Sequence, residues 1–96
     1  MYSDLDPLLH SQLRLSIVST LLTVKEADFN HIKDITGATS GNISIQIKKL
    51  QQAGYIKVKK SFKNNYPNTT ISITDKGREA FENYVSHLKK YIYPGK

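Results

Sequence analysis

The first half of the chain has apolar residues at helical spacing. Four of them recur every fourth position near the start: Leu9, Leu13, Ile17 and Leu21. This pattern predicts an amphipathic helix over about 7–24. Asp6 is its predicted cap and Pro7 its predicted first residue, because the first turn of a helix does not use the amide hydrogen that proline lacks.

A second, shorter helix is predicted after a connector at 25–27. Asp28 is placed to cap it, and Gly37 is placed to end it in a left-handed conformation. The predicted inward side chains of this helix are apolar: Phe29, Ile32 and Ile35.

A third helix follows a three-residue turn. Ser40, or Thr39 before it, is the predicted cap, and the helix is expected to continue to about Ala53. Gly54 then supplies a second left-handed end. The buried stripe of this helix is predicted to be Ile43, Ile47 and Leu50.

Beyond Gly54 the apolar period changes to two, which predicts a β-hairpin. Ile56, Val58 and Phe62 are assigned to the apolar face of its first strand, and Lys57, Lys59 and Lys63 to the opposite face. Residues 63–68 have turn composition and predict a six-residue tip. Residues 69–74 alternate again as the second strand.

The last predicted helix runs over about 75–92, with Thr74 or Asp75 as its cap. The whole pattern indicates a mainly α fold with a small β-hairpin (α+β), in the order helix, helix, helix, strand, strand, helix. At 96 residues, the chain is expected to form one domain over 1–96.

Charge is distributed very unevenly along this pattern. Residues 35–74 contain no Asp or Glu but hold six lysines: Lys48, Lys49, Lys57, Lys59, Lys60 and Lys63. The rest of the chain is balanced, so the net charge of +6 comes from this segment. A positive field confined to one part of a small domain attracts a polyanion, which makes nucleic acid the expected partner.

Composition excludes several other classes of function. The chain has no Cys, so disulfides and thiolate zinc sites are ruled out, and a reducing, cytoplasmic location is expected. We expect no secretory signal, no membrane span and no membrane partner. His10, His31 and His87 match no metal spacing, and no catalytic constellation stands out, so no metal, cofactor or enzymatic activity is predicted.

The second and third helices, joined at Gly37, have the spacing of a helix-turn-helix, whose second helix lies in the major groove. The outward residues of the third helix are then the candidate contacts to DNA: Ser40, Gly41, Asn42, Ser44, Ile45, Gln46, Lys48 and Lys49. Asn and Gln can pair with adenine, and Ile45 can contact a thymine methyl group. Alternatively, Ile45 packs beneath the hairpin.

The hairpin is expected to act as a wing beside this helix, along phosphates or in the minor groove. Its candidate contacts are Lys57, Lys59, Lys60, Lys63 and, at the tip, Tyr66. Arg14 in the first helix could reach a phosphate or a partner's carboxylate, although a structural ion pair is the favoured interpretation.

Four segments together resemble small stand-alone winged-helix transcriptional regulators related to the MarR and ArsR repressors. These segments are the run 5–11 with Arg14 and Leu15, the start of the third helix at 41–44, the run 49–55, and the run 73–78. The resemblance implies a winged helix-turn-helix that binds a pseudo-palindromic operator in double-stranded DNA as a homodimer. Relatives often carry an arginine or another polar residue at Ile45, and many carry arginines at the wing tip.

The resemblance also implies that the first and last helices form the dimer interface. These helices carry more apolar surface than a small core requires, and large apolar patches usually mark interfaces. The candidate interface residues are Leu8, Leu15, Phe81, Tyr84, Leu88, Tyr91 and Ile92. No residue indicates an effector pocket. Two alternatives to a sequence-specific regulator stay open: a winged-helix protein-interaction scaffold and a non-specific chromosome-binding protein.

Overall fold

The computed structural model describes residues 4–93. Its elements are α1 (Gln12–Leu21), β1 (Ala27–Asp28), α2 (Phe29–Thr36), α3 (Ser40–Gln52), β2 (Ile56–Lys63), β3 (Tyr66–Ile73) and α4 (Asp75–Ile92). The three strands form one antiparallel sheet in the order β1-β3-β2. The predicted α+β class and the order of the longer elements are confirmed.

The core lies where α1, α2 and α3 meet the sheet. Eight large side chains there are fully buried: Leu9, Ile17, Val18, Leu21, Ile32, Ile43, Leu50 and Ile71. Full burial of each stabilises the fold by roughly 1.5–3 kcal/mol relative to exposure. Because Ile43 and Leu50 anchor α3 in this core, the opposite face of α3 is held outward in a fixed orientation.

The first helix is shorter than predicted, because Asp6 closes a separate turn instead of capping α1. Its Oδ1 accepts a hydrogen bond from the Leu8 amide at 2.9 Å, and its carbonyl accepts one from the His10 amide at 2.9 Å. Ser11 then adopts an extended conformation, and its hydroxyl accepts from the Arg14 amide, so α1 begins at Gln12 and not at Pro7.

The predicted end of this helix was also wrong. The helix ends at Leu21. The amides of Leu22 and Thr23 donate to the carbonyls of Ser19 and Thr20, three residues back, at 3.3 Å and 3.2 Å. Such tightened bonds satisfy the last carbonyls of a helix in place of a further α-helical turn.

The strand β1 was not predicted. Ala27 pairs with Ile71 and Asp28 with Thr70, in a stretch that the sequence pattern assigned to a connector and a helix cap. Two residues show no alternation, so a strand of this length has no periodic signal. Asp28 does occupy the N-cap position of α2, although its side chain makes no capping hydrogen bond.

Ile35 was predicted to point inward but is 52% exposed. The less exposed residues of α2 are Phe29, Ile32, Lys33 and Thr36. Around the helix axis, Phe29, Lys33 and Thr36 lie to one side of Ile32, and Ile35 lies to the other. With about 100° between successive residues, Ile35 therefore falls outside the less exposed side. Gly37 ends α2 with φ 70°, as predicted.

The hairpin has a two-residue tip, so the predicted six-residue turn was wrong. The register continues from Ile56 opposite Ile73 to Lys63 opposite Tyr66. Asn64 and Asn65 have φ of 54° and 66°, which asparagine tolerates and which suits the type I′ turns of two-residue hairpins. Pro67 lies one pair beyond the closing pair, where the amide points out of the ladder and a proline loses no hydrogen bond.

The helix α4 begins at a hydrogen-bonded junction with the base of the hairpin. Its cap is Thr74, whose hydroxyl accepts from the Gly77 amide at 3.0 Å and donates to the Gly54 carbonyl at 2.6 Å. The Thr74 amide donates to the Tyr55 carbonyl at 3.0 Å. The eighteen residues of α4 make it about 27 Å long, and its last turns are exposed.

Candidate nucleic-acid interface

The outward face of α3 is the largest group of predicted DNA contacts that the structure keeps together. Ile43, Ile47 and Leu50 are buried, as predicted. Seven of the eight candidate residues are exposed: Ser40, Gly41, Asn42, Ser44, Ile45, Lys48 and Lys49. The cap is Thr39, whose hydroxyl accepts from the Asn42 amide at 3.2 Å.

Gln46, the eighth candidate, is half-buried and engaged at both ends of its amide. Arg14 Nη1 donates to Gln46 Oε1 at 2.5 Å, and Gln46 Nε2 donates to Asn42 Oδ1 at 2.9 Å. Arg14 Nε donates to the Leu8 carbonyl at 2.6 Å. Arg14 is thus held by two neutral acceptors, the Leu8 carbonyl and Gln46 Oε1, and not by the structural ion pair that the sequence favoured. The hydrogen bonds from Arg14 through Gln46 to Asn42 link α1 to α3.

A groove of about 470 Å³ separates α3 from the hairpin. Its charged residues are Lys48 from α3 and Lys60 from β2, and Ser44 and Gln51 add polar groups on the helix side. The floor is partly apolar, with Phe29, Ile47 and Val58. Ser44 and Lys48 from the predicted helix set and Lys60 from the predicted hairpin set thus line one concave surface.

The other hairpin lysines lie on the opposite face of the sheet. Alternation along β2 puts Lys57, Lys59 and Lys63 on the face away from Val58 and Lys60, and all three are exposed. They do not line the groove. The hairpin therefore carries positive charge on both faces, with Lys60 on the groove side.

Two exposed aromatic rings lie next to the tip. Tyr66 is 74% exposed and pairs with Lys63 across the ladder, whereas Phe62 is 79% exposed and pairs with Pro67. Phe62 was predicted to be inward. It lies on the same sheet face as Val58, but the hairpin extends past the core there, so no apolar partner covers it. Phe62 shares the alternate positions of Ile56 and Val58, and only Lys60 between them interrupts the apolar face.

Ile45 is 55% exposed and does not line the groove. The alternative interpretation, in which it packs beneath the hairpin, was therefore wrong. Ile45 lies about 160–200° around the helix axis from the buried Ile43 and Ile47. It is an apolar side chain at the outermost point of α3.

The base of the hairpin is tied to the segment before α1. Tyr55 donates from its hydroxyl to Asp6 Oδ2 at 2.5 Å. Burial raises the pKa of Tyr55 to about 12, with further contributions from the hydrogen bond and the negative charge of Asp6. Lys76 Nζ lies 6.0 Å from the centre of the Tyr55 ring, at the outer limit for a cation–π contact.

The predicted interface residues fall into three groups by exposure. Leu8, Leu15, Phe81 and Leu88 are partly buried against the core. Tyr91 and Ile92 are 46% and 59% exposed. Tyr84 is only 4% exposed, and its hydroxyl lies 3.0 Å from His10 Nδ1, so it belongs to the core of the single chain.

Within residues 4–93, no three His, Cys, Asp or Glu side chains are grouped as a metal site would require. Over the same residues, no helix has both the length and the apolar character to cross a bilayer.

Comparison with known proteins identifies the fold family. Residues 13–92 match the model of a winged helix DNA-binding domain. The chain is 36% identical over 79 residues to an uncharacterized protein of Methanocaldococcus jannaschii, covering 82% of this chain and 86% of that protein.

Solved structures agree with this match. A transcriptional regulator homologue from Pyrococcus horikoshii OT3 superposes with a TM-score of 0.82 at 33% identity, over 88% of this chain and 84% of that one. A mutant of MarR from E. coli, complexed with operator DNA, superposes with a TM-score of 0.72 over 90% of this chain and 61% of that one. At 11% identity, MarR shares the fold alone. With α3 and the hairpin arranged as the third helix and the wing of this fold, this chain belongs to the winged-helix family of DNA-binding domains, which is not a family of enzymes.

Proposed function

We propose that this protein is a homodimeric transcriptional regulator, acting as a repressor, that binds a pseudo-palindromic site in double-stranded DNA. The helix α3 lies in the major groove, and the hairpin contacts the backbone and the adjacent minor groove. The observation that carries this proposal is the groove between α3 and β2, which Lys48 lines from the helix and Lys60 from the hairpin, both within an acid-free segment.

Residues on α3 supply the contacts to bases. Asn42 and Ser44 are exposed near the positive N-terminal end of the helix, where hydrogen-bonding side chains commonly reach base edges. Ile45 is the outermost apolar group and suits a thymine methyl group. Lys48 and Lys49 follow toward the C-terminal end and neutralise phosphates.

The hairpin supplies contacts that do not depend on sequence. Lys57, Lys59 and Lys63 are exposed on one sheet face and Lys60 on the other, so phosphates on either side of the hairpin can be neutralised. Tyr66 at the tip is placed to touch the sugar-phosphate backbone.

Dimerisation supplies the symmetry. An apolar surface runs along α4 and the segment around α1. Its residues are Leu8, Leu15, Phe81, Leu88, Tyr91 and Ile92. A two-fold dimer through this surface would place two copies of α3 about 34 Å apart, one turn of the duplex. The structure of a MarR mutant in complex with operator DNA supports DNA binding by this fold.

Selection of bound duplexes from a random pool, in roughly 150 mM salt to reduce non-specific binding, tests the proposal. We expect an enriched sequence with two inverted half-sites. Binding without enrichment would favour a non-specific chromosome-binding protein. Failure to bind duplex DNA would favour an interaction scaffold.

A further inference from the structure

We propose that Arg14, in α1, determines which hydrogen-bonding groups Asn42 offers to DNA, and that it acts through Gln46. This inference deepens the proposed function, because it rests on α3 reading base edges. Arg14 and Gln46 are then positioning residues, and Asn42 is the residue that contacts the base.

The chemistry of the three side chains fixes the direction of the hydrogen bonds. A guanidinium group has donors and no acceptor, so the end of the Gln46 amide that faces Arg14 must be the oxygen. The other end of that amide is then Nε2, which can only donate. It faces Asn42 at 2.9 Å, and so the Asn42 atom at that contact must be Oδ1.

The geometry holds this arrangement in place. Arg14 Nε is hydrogen-bonded to the Leu8 carbonyl at 2.6 Å, while Nη1 reaches Gln46 at 2.5 Å. Gln46 and Asn42 lie four residues apart on α3, which puts them on adjacent turns of one helix side. If the Gln46 amide turned by about 180°, its Nε2 would face the Arg14 guanidinium, one donor against another. The energetic cost of that contact fixes the Gln46 amide, and the Gln46 amide in turn fixes the orientation of the Asn42 amide.

The consequence concerns the free end of Asn42. One of the two lone pairs of Oδ1 accepts from Gln46, so the exposed end of the side chain presents both hydrogens of Nδ2 and only one acceptor position. The two-point contact of asparagine with adenine needs Oδ1 as an acceptor as well. Asn42 is therefore expected to prefer guanine, whose major-groove edge offers the two acceptors O6 and N7, over adenine, which offers N7 but has the donor N6 beside it.

A single substitution should reverse this preference. In Gln46→Glu, the carboxylate can only accept, so it accepts from Arg14 and also from Asn42 Nδ2. The Asn42 amide must then turn, and Oδ1 becomes its free end. Nδ2 keeps one free hydrogen beside the free Oδ1, which matches the N7 acceptor and N6 donor of adenine, so the preferred base at one position of each half-site should change from guanine to adenine.

Base preference is measured by selection from a random duplex pool with both proteins. One hydrogen-bond reversal is worth about 1–1.4 kcal/mol, so the relative preference at that position should change roughly five- to tenfold. Gln52→Glu is the control, since it adds the same charge to an exposed position of the same helix. The control should weaken binding to all sequences without altering the preferred base.

A second readout does not depend on DNA. In a ¹⁵N NMR spectrum, the side-chain amide resonances of Asn42 should move with the ionisation of the carboxylate in Gln46→Glu and should not do so in Gln52→Glu. Arg14→Met should shift the same Asn42 resonances in the otherwise unchanged chain, because it releases the Gln46 amide.

The outcomes separate the two proposals. Two results would overturn the role of Arg14 and Gln46 and leave the regulator proposal intact. One is specific binding by Gln46→Glu with an unchanged base preference. The other is a set of Asn42 resonances that do not respond to Gln46→Glu. A wild-type chain that selects no sequence would overturn the proposed function and this inference with it.

Discussion

At the scale of single residues, the junction between the hairpin and α4 depends on one close backbone approach. Gly77 is buried, and a Cβ built on it would overlap the Tyr55 carbonyl oxygen and lie 2.9 Å from the carbonyl carbon. The same carbonyl accepts from the Thr74 amide, so it cannot move away without losing that bond. The glycine lets α4 start directly against the base of β2.

Gly77→Ala is therefore expected to destabilise the domain by roughly 2–3 kcal/mol, the usual cost of forcing atoms into a packed site. Chemical denaturation measures this change. Gly41→Ala is the matched control, because nothing lies within 4 Å of a Cβ at that helical position; it should stabilise by about 0.5 kcal/mol. Equal effects of the two substitutions would show that the approach of Gly77 to Tyr55 is not tight.

Tyr55 gives the fold a pH dependence in the alkaline range. Its pKa is raised to about 12 by burial and by Asp6, above the unfolded value of about 10, so the folded state holds this proton more tightly. The resulting stabilisation is complete below about pH 10 and is lost as the pH rises toward about 12.

The size of this contribution is about 1 kcal/mol, because the phenol is partly exposed and solvent screens the interaction. We expect the difference in unfolding free energy between wild type and Tyr55→Phe to narrow by this amount between about pH 10 and 12. Contributions from the groups that the two proteins share cancel in this difference. A constant difference across that range would contradict the assignment.

At the scale of elements, the hairpin is the part of the surface most clearly separated from the core. Eight residue pairs connect β2 and β3, but the pairs beyond Lys59 and Thr70 lie past the end of β1. The distal half is thus a two-stranded ribbon with exposed lysines on both faces. An element of this kind can change its charge without unfolding the domain.

Replacement of Lys57, Lys59 and Lys63 by Ala should lower DNA affinity on all sequences, because the proposed role of these lysines is to neutralise phosphates. The slope of log affinity against log salt should flatten by roughly 0.9 for each phosphate that is no longer neutralised. Salt-titrated binding to a selected duplex measures both effects. Replacement of Lys25, Lys89 and Lys90 removes the same charge from exposed positions outside the hairpin. If both triple variants behaved alike, overall charge would explain binding and the hairpin would have no specific role.

At the scale of the whole molecule, α4 extends the domain into an elongated shape of 56 × 25 × 22 Å. Tyr84 joins the core near the middle of α4, whereas Ile92 in the last turn is 59% exposed. A large apolar side chain that is exposed at that position contributes little to the stability of a single copy of the domain. It fits the proposed surface between two copies of the chain.

Ile92→Asp is expected to convert dimers into monomers, because a carboxylate would be buried unpaired at the interface. Analytical ultracentrifugation measures the change, and Leu88→Asp should act in the same direction. Asn83→Asp, at an exposed position on another side of α4, should remain dimeric. If the Ile92→Asp protein sediments as a dimer over the same concentration range as the wild type, the proposed interface is refuted.

Much of the candidate site could be predicted from local pattern. The buried stripe of α3, its boundaries and the exposure of its polar face follow from helical periodicity and from Thr39 and Gly54 at its ends. The acid-free lysine segment needs only the order of residues. The pairing of Arg14 with Gln46 could not be predicted, because it joins side chains 32 residues apart through the packing of α1 on α3.

The sequence by itself determined the α+β class, the order of the main elements and the location of the positive charge, because periodicity and capping are local properties. Only the tertiary structure decided that α1 starts at Gln12, that β1 joins the sheet and that Phe62 and Ile35 face outward. It also decided that Lys60, but not Lys57, shares a groove with α3. Burial depends on which surfaces meet in three dimensions, and the local spacing of apolar residues does not show where the core ends.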